Sequence, residues 1–220
     1  MAENLRHAVI TGGGGGLGRA LAEALRMPDW VVEAPARSDL DVCDPLAVAR
    51  FFDERQVDLL VCAAGVTRDG PLGRFGEAAW DEVWQVNFRG AARCAEAVLP
   101  GMKARLSGHI VFISSFSALH PPVGQAAYAT AKAALLGLVA DLASRHGRDQ
   151  VRVNAILPGF LETPMTQGVG DGRRNEILRD HTLGRFNTCG DAARFVAYLH
   201  HHLPHTSGQI FQLDSRPPLR

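Results

Sequence analysis

Apolar residues along the chain fall in short runs that alternate with longer stretches of helical period. His7–Thr11, Trp30–Ala36, Val57–Ala63 (broken only by Asp58), Ile110–Ser114, Val151–Leu157 and Gln209–Leu213 are predicted strands. Between them the pattern predicts helices over Leu17–Met27, from Pro45 to about Arg55, over Glu77–Arg105, Ala126–Ser144 and Asp191–His200. Asp44 followed by Pro45 reads as an N-cap and a first helical position. Pro100-Gly101 predicts a break in the long third helix, and Asp39–Val42 is long enough for a fragment of strand only. Strands that are apolar almost throughout, alternating with helices, imply a parallel sheet covered on both faces. The expected fold is therefore α/β: a doubly wound, mostly parallel, Rossmann-like sheet in a single domain over residues 1–220.

Composition narrows the function. Lys+Arg and Asp+Glu both number 23, and 46% of residues are hydrophobic. Balanced charge argues against a nucleic-acid or polybasic membrane partner, and the apolar content against disorder. Cys43, Cys62, Cys94 and Cys189 form no C-x-x-C pair, so a reducing compartment is expected rather than a disulfide framework or zinc site. The N-terminal MAENLRHAVI has no leader pattern, and Ala126–Ala143 carries Lys132 and Asp141, as suits a buried helix. A cytoplasmic location is expected.

Candidate chemistry begins after the first strand. Thr11-Gly12-Gly13-Gly14-Gly15-Gly16-Leu17-Gly18 opens the first helix, where glycines let backbone N–H groups approach a pyrophosphate. No Gly-Lys-Ser/Thr follows, so it is not a Walker loop. The end of the second strand offers Ala36-Arg37-Ser38, and Arg37 with Ser38 suits the 2′-phosphate of NADP(H). Asp39 and, more weakly, Glu33 leave NAD(H) as the alternative. Farther on, Tyr128 and Lys132 lie at i and i+4 on one helix face, and an ammonium near a phenol lowers its pKa. Ser115 closes a strand, and Asn87 sits in an apolar setting where an amide needs a partner.

In order, Thr11-Gly-x-x-x-Gly16-x-Gly18, Asp41-Val42, Ala64-Gly65, Asn87, Ser115, Tyr128-x-x-x-Lys132, Asn154 and Pro158-Gly159 resemble the short-chain dehydrogenase/reductase family over nearly the whole chain. The resemblance implies that Tyr128 is the general acid, Ser115 holds the carbonyl oxygen, Lys132 tunes Tyr128 and binds ribose, and Asn87 positions a water. It implies cofactor contacts at Gly12, Gly16, Leu17, Gly18, Asp41, Val42, Ala64, Gly65, Pro158, Gly159 and Thr163. Ala64–Gly70, Gly124–Tyr128, Pro158–Thr163, Leu183–Phe186 and Ser207–Gln209 are most similar to bacterial 3-oxoacyl-[acyl-carrier-protein] reductases. That implies NADPH reduction of a small-molecule or carrier-bound β-keto thioester by a tetramer, and Ala126–Ala143, apolar nearly all round, suits burial in a homodimer or homotetramer. A dehydrogenase of another alcohol/ketone pair and an inactive scaffold subunit are the alternatives.

The chain departs from the family pattern in places. Only three residues separate Arg37 from Asp41, so a helix should be missing there and the third strand reduced to a stub. Cys62-Ala63-Ala64-Gly65 stands for Asn-Asn-Ala-Gly, and Asp214-Ser215-Arg216 for Asp-Gly-Gly. Phe116, Ser117, His120 and Phe160 are candidate substrate contacts, and Gly168, Gly170 and Gly172 suggest a mobile lid. Lys103, Arg105, Arg145 and Arg148 are candidates for a basic rim facing an acidic carrier. His200, His201, His202 and His205 read as a solvated cluster, and no metal is expected.

Overall fold

Six strands form one parallel sheet: β1 (Arg6–Thr11), β2 (Trp30–Glu33), β3 (Leu59–Cys62), β4 (Gly108–Ile113), β5 (Val151–Leu157) and β6 (Ile210–Gln212), in the order β2-β1-β3-β4-β5-β6. The computed structural model describes residues 5–217; Met1–Asn4, where the stretch read for a leader begins, lie outside them. Alternate side chains of each strand enter opposite cores, as the two-residue period requires. Val9, Leu60, Ile110, Phe112 and Val153 pack with α2 (Pro45–Phe52), α4 (Ala91–Ala104) and α5 (Ala126–His146). Ala8, Ile10, Leu59, Val61 and Val111 pack with α1 (Gly16–Ala24) and α7 (Cys189–His202). The remaining helices are α3 (Glu77–Trp84) and α6 (Asp171–Arg179). The sheet grows from β1 in both directions, placing a topological switch at the carboxyl ends of β1 and β3.

Several local expectations are corrected. The stub at Asp39–Val42 does not form. Ala36 carbonyl instead accepts from the N–H groups of Asp39 and Leu40, and Asp39 Oδ2 accepts from Ala36 N–H at 3.0 Å, closing a turn. Leu40 and Val42 are buried against the α2/α4 side of the core, so β2 is left as the sheet edge. No helix forms between β2 and Asp41, as the short spacing implies, and Asp44 caps α2, accepting from Leu46 N–H at 2.8 Å.

The long third helix is not broken at Pro100, which lies inside α4 on its exposed side. Its irregularity falls earlier, in a π-helical turn over Gln85–Gly90 joining α3 to α4. A π turn displaces the usual i→i−4 bonds. Asn87 replaces one with its side chain, donating from Nδ2 to Val83 carbonyl at 2.9 Å. The turn is thus built around a candidate catalytic residue.

At the amino ends of the strands, buried His109 of β4 bridges Asn154 and His200. Its Nε2 lies 3.0 Å from Asn154 Nδ2, and its Nδ1 3.2 Å from His200 Nδ1. Arg152 donates to the carbonyls of Leu199, His200 and Leu203, closing the end of α7. Burial, reinforced by Arg152, lowers the His200 pKa to about 3. His200 and His201 pack edge-on against Trp30. The solvated cluster expected from sequence is therefore half absorbed into the core. Ala126–Asp149 is long and apolar enough by composition to cross a membrane, yet Leu135 and Val139 of this helix are buried in the core.

Candidate active site

The glycine turn is dictated by close approach. A β-carbon on Gly13 would lie 2.0 Å from Ala34 carbonyl oxygen, and one on Gly18 2.4 Å from Gly12 carbonyl oxygen. Gly12 has φ +72° and faces Ala64 at 2.7 Å by the same measure. Thr11 Oγ1 accepts from Ala63 and Ala64 N–H, each at 3.2 Å, so the ends of β1 and β3 are tied without the family asparagine. The N-cap of α1 is Gly15, with no side-chain cap, which leaves the first N–H groups of the helix open to an anion.

The catalytic side is fixed by two bonds between β4 and α5. Ser114 Oγ donates to Lys132 carbonyl at 2.9 Å, and Lys132 Nζ donates to Ile113 carbonyl at 2.8 Å. These set the rotation of α5, so Tyr128, one turn earlier, comes beside Ser115. Ser115 is in extended conformation, and its Oγ accepts from Ser117 N–H at 3.1 Å. Asn87 is fully buried, its Nδ2 shared between Val66 and Val83 carbonyls. Its Oδ1 has no partner among the described residues and points at Gly65, where a β-carbon would sit 2.8 Å from it and 3.6 Å from Lys132 Nζ.

Burial pushes the Tyr128 phenol up, against the hydrogen bond with Ser115, and nearby Asp69 adds to the rise. The expected lowering by Lys132 is not found here. The ammonium is turned to Ile113 carbonyl and lies 5.7 Å from the phenol ring centre. Burial lowers Lys132 itself to about 8.

A cavity of about 1030 Å³ connects these groups. Its wall includes Gly12, Gly16, Leu17, Gly18, Arg37, Asp41, Val42, Ala64 and Gly65 at the glycine-turn end, together with Ser115, Tyr128, Lys132, Pro158, Gly159 and Thr163, whose Cγ2 would lie 3.1 Å from a β-carbon on Gly16. The glycine cradle and the uncapped helix end fit a dinucleotide laid along that wall. Ser38 does not reach the cavity wall; its hydroxyl donates to Asp39 at 3.3 Å. Arg37 is exposed and pairs with Asp41 at 3.4 Å, while Glu33 is occupied by His7 and Arg55.

Phe116, Ser117, His120 and Phe160 all line the other end. Sequence reasoning missed Asp69, Gln125, Arg173, Asp180 and Arg216 on the same wall. Ser117 Oγ donates to Gln125 Oε1 at 3.1 Å, and Gln125 Nε2 donates to Asp69 at 3.0 Å, locking two loops together. Asp69 and Gln125 lie inside stretches already marked by the resemblance. Arg173 and Asp180 carried no signal, because α6 is polar and holds Gly172. Of the glycines read as a lid, Gly172 lies inside that helix, Gly170 is its N-cap at φ −66° and Gly168 precedes it. The proposed basic rim is also displaced. Lys103, Arg105, Arg145 and Arg148 sit at or just beyond the carboxyl ends of α4 and α5, off the cavity wall, and the first three are paired with Asp149, Asp58 and Asp141.

A family model described as Enoyl-(Acyl carrier protein) reductase matches residues 16–215. The chain is 32% identical to the 3-oxoacyl-[acyl-carrier-protein] reductase FabG of Escherichia coli (strain K12), over 87% of this chain and 88% of that one. It is 37% identical to the Chlamydia muridarum protein of the same name, over 76% of this chain and 68% of that one. A solved structure from Beutenbergia cavernae, described as a candidate NAD(P)-dependent gluconate 5-dehydrogenase with NADP bound at low occupancy, superposes with a TM-score of 0.86 at 28% identity, covering 96% of this chain and 95% of that one.

Proposed function

This chain belongs to the short-chain dehydrogenase/reductase family and is an NAD(P)-dependent oxidoreductase, and on that premise we propose that it reduces the β-keto group of a 3-oxoacyl thioester with NADP(H). The observation that carries the chemistry is Tyr128 beside Ser115 on the cavity wall, with Lys132 anchored one turn away. The bound dinucleotide supplies the hydride. Ser115 and Tyr128 hold the substrate carbonyl oxygen, and Tyr128 gives it a proton as charge develops there. A raised phenol pKa keeps that proton in place at neutral pH, which suits the reductive direction. Asn87 Oδ1, without a partner among the described residues and facing Gly65, is the acceptor assigned to a water that returns a proton to Tyr128.

NADP(H) is favoured because the acidic residues able to hold a ribose 2′-hydroxyl are already used. Glu33 accepts from Arg55 Nε at 3.1 Å, and Asp39 accepts from Ala36 N–H, while exposed Arg37 stays on the wall. Likeness to the Beutenbergia cavernae structure supports a second reading, oxidation of a sugar acid. Half-buried Leu136, Leu138 and Leu142 on α5 suit a homodimer or homotetramer. Consumption of NADPH and NADH is measured in parallel with an acetoacetyl thioester, and formation of NADPH from NADP+ is measured with gluconate. Thioester-dependent oxidation of NADPH, faster than of NADH, is expected. A protein that binds NADPH but leaves the thioester untouched overturns the proposal.

A further inference from the structure

Arg216 stands where the family pattern places glycine, and its surroundings show a side chain built into the cavity rather than left on the surface. Its guanidinium carbon lies 3.3 Å from the centre of the Phe116 ring, and Phe116 directly follows Ser115. Its side chain is 9% exposed, against a fully buried Asp214. Arg216 Nε donates to Asp214 Oδ2 at 2.7 Å, and Nη2 donates to the same oxygen. Asp214 is held from other sides too. Gln212 Nε2 donates to its Oδ1 at 2.8 Å, and a β-carbon on Gly159 would come within 2.6 Å of its own β-carbon.

The ion pair therefore uses one edge of the guanidinium. Arg216 Nη1 has no hydrogen-bond partner among the described residues, while the side chain lines the cavity. A role confined to tying down the chain end would be met by the Asp214 edge alone. Free donors of a largely desolvated guanidinium, stacked on the residue that follows Ser115, call for an acceptor on the substrate.

The charge balance says which acceptor. Asp214 already neutralises Arg216, Arg173 on the same wall is paired with Glu176 at 2.8 Å, and Asp69 and Asp180 share the wall, so a substrate carboxylate would meet opposing charge. A neutral carbonyl oxygen gains a charge-assisted bond with no such cost. Building on the proposed reduction of 3-oxoacyl thioesters, we infer that Arg216 holds the thioester carbonyl, one methylene from the reacting ketone, and so selects β-dicarbonyl substrates over simple ketones.

The test compares kcat/KM for an acetoacetyl thioester with that for a monoketone of similar size. Because Arg216→Met alone strands the buried Asp214 carboxylate, it is made together with Asp214→Asn, and Arg216→Lys is made separately. Melting temperature and NADPH fluorescence titration check folding and cofactor binding. In the double variant the thioester-to-monoketone ratio of kcat/KM should fall about 10- to 100-fold, the value of a hydrogen bond to a charged group. Arg216→Lys should fall less. An unchanged ratio in a folded, NADPH-binding double variant overturns the role of Arg216 alone. A wild-type protein that reduces a monoketone but no β-keto thioester overturns both this inference and the function it rests on.

Discussion

Two ends of one cavity differ in how tightly the backbone confines them. At the glycine turn a β-carbon on Gly12, Gly13 or Gly18 would meet backbone atoms at 2.7, 2.0 and 2.4 Å. Beyond Thr163, a β-carbon on Gly168, Gly170 or Gly172 would meet nothing within 4 Å. The first end is held by strand termini and by bonds from Thr11, Ser114 and Lys132; the second rests on a polar helix and a network from Asp69 to Ser117. The difference teaches where chemistry and choice of substrate reside. A site that must place a proton within hydrogen-bond reach is built on rigid elements, whereas a wall that adapts to substrate is built on loops.

The sharpest break of the comparison is at the confined end. Tyr128→Phe should lower turnover about 10²- to 10⁴-fold while NADPH binding persists, as steady-state rates and fluorescence titration will reveal. Near-normal turnover would move the acid elsewhere. Next, Gly13→Ala should destabilise the fold by about 3 kcal/mol through collision with the Ala34 backbone. Gly172→Ala, inside α6, should instead stabilise it by about 0.5–1 kcal/mol, and denaturant titration of the two variants separates the ends directly. Equal effects would erase the contrast.

Smaller effects sharpen it. Arg37→Ala should weaken NADPH about tenfold with little change for NADH, since a lost charge-assisted bond to phosphate is felt by one cofactor only. Equal weakening would remove Arg37 as the phosphate reader. The far end of the sheet supplies a pH test. The folded His200 pKa of about 3 lies below the unfolded value near ~6.5, so the unfolded chain binds the extra proton first. The stability is complete above pH ~6.5 and is lost progressively as pH falls toward about 3, by about 1 kcal/mol between pH 7 and 5.5. His200→Asn should flatten that slope in thermal melts.

What was legible in the sequence follows the same division. β5 is found at Val151–Leu157 as the apolar run predicts, and Asp44-Pro45 opens a helix because capping is local chemistry. The candidate residues at the confined end meet on one wall, apart from buried Asn87 and from Ser38, because the glycine turn, Ala64-Gly65, Ser115 and Pro158-Gly159 follow strand ends and Lys132 is bonded to one. Three features were not legible for physical reasons. The π turn at Asn87 depends on a side-chain bond that no periodicity records. α6 has too little apolar character and one glycine too many to announce a helix. The burial of His200 is decided by His109 and Trp30, distant in sequence. Arg216 was visible only as a departure from pattern, because its meaning lies in Phe116 and Asp214.

The central claim is that hydride reaches the β-carbon of a 3-oxoacyl thioester in the cavity bounded by Ser115 and Tyr128. The most direct measurement is mass spectrometry of the product formed from an acetoacetyl thioester and NADPH carrying deuterium at the transferable position. A 3-hydroxyacyl product with one deuterium on carbon 3, absent with Tyr128→Phe, is the predicted result. Recovery of unreduced substrate, or a product with no deuterium on carbon 3, would contradict it.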